Sequence, residues 1–580
     1  MEEEKKMTGY PSIDKPWLKY YTAIPDNLPD PGMSMYEFLY ENNKDRLDNI
    51  ALNYFGRKIS YRQLFEGIDK TASALKTYGV RKGDIVSLCA LNMPEFIYLL
   101  YGLNKIGAVS NWIGLTSPEA DIHEQLNSTG TKLVFTVDLA SDLISKASKN
   151  TEVEKTVVIP IENSIPVFMR TAVKIKNIGK YNKQGVRWKD FIKAQSEKAD
   201  LESADPEAMA MIEYTGGSTG TPKGVMLSSK NLNSYYVNLA IANSSGIFNY
   251  NESDRYLSGV PFFLAFGMSV CCHSPLSHSM ELILAPDPNP NPGTDIIIKS
   301  RVQHVVGGRL LVERLIDKAH KNHSDLSFVK SVVYGGEEAN ASWERTVIAE
   351  LYDNNATALL INGYGMTETS AATIVEIDNE KTEFVPLANI NIMITDPDNS
   401  SLEKGCETEG ELCISSDTVM LGYYKNEEET NEVMFDNKGK RWLKTRDLAV
   451  VSPDGFVRIT GRIKRVYSKL DSEGIQIRVY PMRIEETISE DPAVEKCAVV
   501  GIKDDKTAYR TIAYLILKDG SENKEKITQR IIEYCQKNLP ESHVPDDYVI
   551  VNEFPLTRAG KVDYRRLEEM AAASLISADK

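Results

Sequence analysis

The sequence predicts an α/β body, then a β-rich module and a compact α+β tail, and three observations carry that expectation. Helix-period and strand-like stretches alternate from Met35 to about Gly130. Apolar strand patterns at residues 208–212, 328–333 and 358–362 each run into a glycine-containing loop. From Asn389 to Arg458 the texture shifts to short strands with turn signals, as in a small β-barrel or sandwich. Alternation favours a parallel sheet covered by helices. Strands ending in glycine loops are how such sheets build a ligand crevice at their carboxyl ends.

Taken in order, residues 1–30 form a peripheral arm whose P-W-L-K-Y-Y at 16–21 can dock an aromatic cluster on the body. Residues 57–60 read as a strand before a helix at 61–78, where Leu64, Ile68, Ala72 and Leu75 recur at three- and four-residue steps. Lys82-Gly83-Asp84 turns the chain into a strand at 85–90, and a helix follows at 94–107. A helix is expected at 230–243, a strand at 256–260, and a surface loop at the proline-rich piece 286–292. Short strands are expected at 410–414, 419–423 and 454–459. After a boundary near 461–464, segments 481–488, 494–501 and 509–517 alternate again.

Composition narrows the function. A formal charge of −15 and a pI near 5.2 disfavour a nucleic-acid partner, for which a basic face is expected. Seven cysteines, at 89, 271, 272, 406, 413, 497 and 535, have the spacing of neither a disulfide framework nor a zinc site. With the polar start M-E-E-E-K-K, this points to a reducing cytoplasm and no secretory leader. The 25 residues between Arg255 and Glu281 carry no formal charge, but Gly259, Pro261, Gly267, His273, Pro275 and His278 interrupt them. They read as a buried strand, helix and pocket wall rather than a membrane span. Residues 165–189 reverse the overall charge, with seven basic side chains and no acid among apolar residues. That segment is the candidate for peripheral contact with an anionic membrane, against the plainer reading of a solvated excursion.

The chemistry centres on residues 214–228, Y-T-G-G-S-T-G-T-P-K-G-V-M-L-S. A strand leading into glycines 216, 217 and 220, several hydroxyls and one lysine offers backbone N–H groups, donors and a cation to a polyphosphate. The lysine follows Pro222, so the run fits neither G-x-x-x-x-G-K-[ST] nor G-x-G-x-x-G. It resembles the T-S-G-[ST]-T-G-x-P-K-G signature of the adenylate-forming superfamily: acyl-CoA synthetases, peptide-synthetase adenylation domains and firefly luciferase. By that resemblance Thr215, Gly216, Gly217, Ser218, Thr219, Gly220, Thr221 and Lys223 contact the phosphates of ATP.

Ordered motifs extend the resemblance from about residue 60 to residue 567. Gly363-Tyr364-Gly365-Met366-Thr367-Glu368 is similar to the family's Y-G-x-T-E. It implies Tyr364 stacked on adenine, Thr367 at the α-phosphate and Glu368 as a ligand of Mg2+. Gly335-Gly336-Glu337, after Tyr334, matches the turn that borders adenine and the acyl pocket. Thr445-Arg446-Asp447 stands where relatives have T-G-D, so Asp447 is implied to hold the ribose, with Arg446 in the glycine's place. Arg462 is the implied second nucleotide contact and Lys464 falls at the hinge. Pro555-Leu556-Thr557-Arg558-Ala559-Gly560-Lys561-Val562-Asp563 fits P-x-T-x-x-G-K-V-D, which makes Lys561 the implied catalytic cation between carboxylate and α-phosphate. The architecture implied is a large N-terminal domain, 1–461, of two α/β subdomains plus a small β-barrel. A small mobile α+β C-terminal domain, 462–580, would carry Lys464 and Lys561.

The implied reaction is adenylation of a carboxylic acid with pyrophosphate release, then transfer to the thiol of CoA. No acid occurs in P-F-F-L-A-F-G-M at 261–268, which argues against an α-amino acid. Phe262, Leu264, Ala265, Gly267 and Tyr334 are the expected acyl wall. An apolar wall suits a hydrocarbon tail at ~0.8 kcal/mol per buried methylene. The arm also resembles the start of bacterial long-chain fatty acid–CoA ligases, so a medium- or long-chain fatty acid is the expected substrate. Gln476 and Arg483 stand where relatives have glycine and glutamate in the loop facing the thiol channel. The alternatives are therefore a fatty-acyl-AMP ligase delivering to an acyl carrier protein and a non-catalytic adenylate-binding relative.

Overall fold

The structure, a computed structural model, describes the chain except residues 1–6, 26–27, 167–184, 196–204, 216–221, 288–289, 336–340, 379–382, 471–475, 505–507, 519–523, 557–561 and 579–580. Two large sheets form the body. The first carries a parallel core in the order Leu359–Met366, Ser331–Gly335, His304–Gly307, Arg255–Ser258, Glu281–Leu284, Ile50–Tyr54. The second is parallel across Met209–Tyr214, Val109–Ile113, Ile85–Cys89, Leu133–Val137, Lys155–Ile159 and Val186–Arg187. Two α/β units are thus present, as expected.

Local chemistry sets the elements around the site. The helix Tyr61–Thr77 starts at a capping box: Ser60 accepts from the Gln63 N–H and Gln63 from the Ser60 N–H. Its Leu64, Ile68, Ala72 and Leu75 are all buried. The helix Ser229–Ser244, directly beyond the candidate phosphate loop, begins with a second such box, Ser228 with Asn231. The Asn231 amide also donates to the Asp417 and Val419 carbonyls, at 2.7 and 3.0 Å, and so ties the β-rich module to that helix.

Several boundaries differ from the sequence reading. The strand expected to stop at residue 362 runs on as Leu359–Met366, because residues 363–366 pair antiparallel with Ala371–Asp378. The strand expected at 419–423 is only Gly422–Tyr423, and that at 454–459 begins later, as Val457–Arg462. Within the proline-rich piece a helix starts, Pro290–Ser300; proline is preorganised for a first helical turn. The β-rich module, read as a small barrel, is continuous with the parallel sheet. Val457–Arg462 pairs with Glu383–Pro386, which pairs with Ala371–Asp378, and the other edge ends at Asn399–Lys404. Among the described strands no pairing closes the ring.

The uncharged stretch is a strand, a wide-turn helix Phe266–His273 and a short helix Ser274–Ser277. No helix among the described residues is long and apolar enough to cross a membrane. Gly267 has a backbone reason: a Cβ there would lie 2.0 Å from the Pro261 carbonyl oxygen. The N-terminal arm docks as expected: Trp17 is fully buried, Tyr20 packs on Phe456, and the Tyr21 hydroxyl donates to the Pro386 carbonyl. Of the basic segment, residues 167–184 lie outside the described residues. Trp188 at its end is buried against Phe135 and Phe191, so that ring is not offered to a membrane.

Beyond residue 466 the chain builds its own cores. Val494–Asp504, Ala508–Leu517 and Asp547–Ile550 form a three-stranded sheet. Helices Pro481–Ser489 and Lys524–Asn538 cover one face through Ile484, Ile488, Ile527 and Ile531. Helix Tyr564–Ala578 covers the other through Leu567 and Ala571.

Candidate active site

The strand Met209–Tyr214 delivers the chain to the candidate phosphate loop, and the Thr215 N–H donates to the Lys223 carbonyl at 3.0 Å, closing the loop's base. Gly216, Gly217, Ser218, Thr219, Gly220 and Thr221 lie outside the described residues. Lys223 is described: its ammonium meets the Glu429 carboxylate and lies 5.1 Å from the Tyr423 ring centre. The Tyr423 hydroxyl in turn donates to Glu368 Oε1 at 2.8 Å. Lys223 and Glu368, 145 residues apart, are thus bridged by one tyrosine that sequence reasoning did not single out.

A second group forms where the two long antiparallel strands meet. Asp447 pairs with Arg462 in register, and their side chains lie 3.0 Å apart. Asp447 also accepts from the Tyr364 hydroxyl at 2.6 Å. Burial, then the adjacent carboxylate, raises the Tyr364 phenol, so it stays a donor. Sequence reasoning assigned Tyr364, Asp447 and Arg462 to one nucleotide from three separate motifs, and the structure joins them by direct bonds. Gly365 is forced by close approach, since a Cβ there would fall 1.9 Å from the Ala371 carbonyl oxygen. Met366 and Thr367 follow, the Met366 N–H donating to Thr369 Oγ1, and Thr367 opens the short turn Thr367–Thr369 that presents Glu368.

Arg446 holds a left-handed backbone, φ +62°. That explains why a glycine suits this place, at a cost of about 1–2 kcal/mol for any other side chain. Three contacts hold the arginine there. Its N–H donates to Glu411 Oε1 at 3.1 Å, and its guanidinium lies 3.2 Å from Glu429 and 2.8 Å from Glu432.

The residues expected to form an acyl wall have different surroundings. Phe262 is buried in the main core, edge-on to Trp112; Ala265 is buried as well, while Leu264 is half-buried. The turn before them is fixed by Asn92, whose amide donates to the Ser258 and Val260 carbonyls and whose oxygen accepts from the Phe262 N–H. Tyr334 is a correction. Val333 faces the main core, whereas Val332 and Tyr334 face the second core, beneath helices Arg309–Asn322 and Ala341–Asp353. Alternate strand residues point to opposite faces, and Tyr334 packs on Trp343 and donates to Glu344 instead of joining Phe262. Gly335 pairs with Gly363 across the two parallel strands. Gly336, Glu337 and Lys561 lie outside the described residues. Lys464 is exposed in the turn Ile463–Arg465, beside an Arg465 anchored 2.5 Å from Glu485 and 3.7 Å from the Tyr564 ring centre.

Glu368 suits the implied magnesium. Its carboxylate is a hard oxygen donor joined through Tyr423 to the neighbourhood of Lys223, and this ion is usually held by one or two carboxylates together with substrate phosphates.

The fold is that of an α/β protein with a smaller C-terminal domain, and comparison with known proteins identifies its class. The AMP-binding enzyme family model matches residues 39–424, and the AMP-binding enzyme C-terminal domain matches residues 483–561. The chain belongs to this adenylate-forming acyl-CoA ligase family. Among similar sequences, a long-chain-fatty-acid–CoA ligase of Bacillus subtilis is 26% identical over 577 residues, covering 96% of this chain and 98% of that protein. A 4-coumarate–CoA ligase-like protein of Arabidopsis thaliana is 26% identical over 528 residues, covering 90% of this chain and 87% of the relative. Among solved structures, an anthranilate–CoA ligase in complex with anthranoyl-AMP superposes with a TM-score of 0.78 at 21% identity, covering 95% of this chain and 99% of its own. A Mycobacterium tuberculosis fatty acyl CoA synthetase gives 0.68 at 20%, covering 93% and 99%. These likenesses carry the fold: a large N-terminal domain and a smaller C-terminal one.

Proposed function

We propose that this protein activates a medium- or long-chain fatty acid with ATP, forming acyl-AMP and pyrophosphate, and then transfers the acyl group to the thiol of CoA. The observation that supports the reading is the bonded group Tyr364–Asp447–Arg462, joined through the neighbouring Arg446 and Glu429 to Lys223, with Tyr423 between Lys223 and Glu368; together they would supply ribose, phosphate and metal contacts. Asp447 would accept from the ribose hydroxyls, with Arg462 and Tyr364 holding its carboxylate in place. Lys223 and the loop hydroxyls would meet the β- and γ-phosphates. Magnesium bound at Glu368 would neutralise phosphate charge.

Two anions must meet, so donors and cations have to be in place beforehand. One oxygen of the substrate carboxylate attacks the α-phosphorus, the bond to the bridging oxygen breaks, and pyrophosphate leaves with its electron pair. Lys561 would lie between the attacking carboxylate and the α-phosphate. No protein nucleophile is needed. In the second step a thiolate attacks the acyl carbon and AMP departs. A domain division at residues 461/462, with Lys464 as hinge, would let the small domain bring first Lys561 and then the thiol channel to the crevice.

The acid-free, apolar segment Phe262–Ala265 supports a hydrocarbon acyl group, while 4-coumarate and anthranilate ligases among the similar proteins make an aromatic acid the competing substrate class. Gln476 and Arg483 favour a carrier-protein thiol as the rival acceptor. Pyrophosphate release should be measured with C4–C18 acids and aromatic acids, each with CoA, with an acyl carrier protein and with neither. Release that rises with chain length and thioester formed on CoA are expected. Release that ignores every acid would refute the reading.

A further inference from the structure

Lys223 is the cation of the candidate phosphate loop, and its charge is already paired within the chain. The Glu429 carboxylate holds it, with side chains only 19% and 23% exposed. Glu429 Oε1 also faces the Arg446 guanidinium at 3.2 Å, and Arg446 continues to Glu432. One carboxylate oxygen is therefore shared by two cations from different sheets: Lys223 just before strand Gly224–Ser228 of the second, Arg446 at an irregularity of the first. The helix that carries Glu429, Glu427–Val433, is anchored near the loop. Its Thr430 accepts from the Tyr423 N–H at 2.9 Å, and the Tyr424 N–H donates to the Gly224 carbonyl at 2.7 Å.

We propose that Glu429 is a positioning residue that parks the phosphate-loop lysine in the nucleotide-free enzyme, and that Arg446 is the second cation that keeps Glu429 paired when Lys223 leaves for a polyphosphate. The inference rests on the reading that this crevice takes ATP. Freeing a lysine from a half-buried carboxylate normally strands that carboxylate, and a buried unpaired charge is costly. Here Arg446 already touches the same oxygen, so Lys223 can exchange Glu429 for phosphate without leaving an orphan. The left-handed backbone at Arg446 then has a functional counterpart: a glycine there could not supply the second cation.

Two opposing predictions distinguish parking from simple stabilisation. Removing the competitor, Glu429→Gln, should tighten binding of ATP by about three- to tenfold. Binding of AMP, which lacks the phosphates that Lys223 serves, should stay unchanged. Removing the relief cation, Arg446→Ala, should weaken ATP binding by a similar factor, and adding Glu429→Gln to it should abolish that weakening. Glu429→Asp, which keeps the charge on a shorter stem, should fall between wild type and Glu429→Gln. The experiment is calorimetric titration of the full chain and these variants with ATP and with AMP. ATP affinity unchanged or weakened in both Glu429 variants, or an equal change for AMP, would overturn the parking role while leaving the ATP site standing. A wild type that binds neither nucleotide would overturn the ATP reading and this inference together.

Discussion

Two carboxylate clusters in this molecule use the same ingredients to opposite ends. Asp254 accepts from Lys330 on both oxygens at 2.8 and 2.9 Å, from His304 at 3.0 Å and from Gln303 at 2.7 Å. His304 in turn meets Ser331 Oγ at 2.9 Å, which gives a buried Ser–His–Asp chain. Glu429 likewise gathers two cations, but on one oxygen and from long side chains on two sheets. Position separates them. Ser331 and His304 open their parallel strands and Asp254 immediately precedes one, so that cluster lies at the amino ends, closed from solvent. Lys223 of the Lys223–Glu429 pair follows the carboxyl end of strand Met209–Tyr214, the end at which open α/β sheets bind ligands. A constellation with hydrolase-like geometry is thus buried as a tie between strand starts, while the less buried ion pair stands next to the proposed nucleotide site.

The first cluster's electrostatics agree with a fixed role. Burial lowers the His304 imidazole, so it is neutral and donates from Nε2 to Asp254 while accepting from Ser331. Burial alone would raise the Asp254 carboxyl, but the bonds from His304 and Lys330 outweigh it and hold it at about 2. At Glu429, the Lys223 bond lowers the carboxyl, burial opposes, and Arg446 adds to the lowering. Both carboxylates are ionised at neutral pH, and only the second has a cation to spare.

The contrast can be broken most severely at Asp254. Asp254→Asn removes the anion that faces Lys330 and His304 and should cost about 3–5 kcal/mol of stability in denaturant unfolding. Activity per folded molecule should be unchanged, and lost turnover without lost stability would assign this cluster to the chemistry. Conversely, Lys561→Ala should lower acid-dependent pyrophosphate release by about 10²–10³-fold with the melting temperature and ATP affinity little altered. Preserved adenylation would remove Lys561 from its role. Tyr364→Phe deletes one hydrogen bond to Asp447 and should weaken ATP binding by roughly 1 kcal/mol, an effect read by titration and absent from a mutation at Ser331.

The pH dependence is the mildest test. The folded Asp254 value near 2 lies below its ordinary 3.8, so its stabilisation is complete above pH 4 and is lost as pH falls towards 2. The depressed His304 acts in the same direction from about pH 6.5 downward, because the unfolded chain takes up the proton first. Unfolding midpoints in wild type should therefore fall as pH drops from 7 to 3. A flat curve would exclude this linkage.

Much of the site was legible because its motifs are local. Glycines, hydroxyls and a lysine within one loop are read from adjacent residues, and so is the three- and four-residue spacing of Leu64, Ile68, Ala72 and Leu75. Tyr334 misled because a strand residue's neighbours in sequence do not state which face it takes; one residue's difference in register separates the acyl side from the second core. Glu429 was invisible for a different reason. It sits among Glu427, Glu428 and Glu432 on one short helix, and only folding brings one of the four to a lysine 206 residues away.

By itself the sequence determined the α/β alternation and the local motifs by which the chain is recognised as a member of its family, since periodicity and loop composition are short-range properties. The tertiary structure alone decided that the β-rich module continues the parallel sheet, that Arg446 takes a left-handed turn against Glu411, Glu429 and Glu432, and that Tyr364 bonds Asp447. Each of these depends on contacts between distant strands, whose register is set by the packing of whole faces.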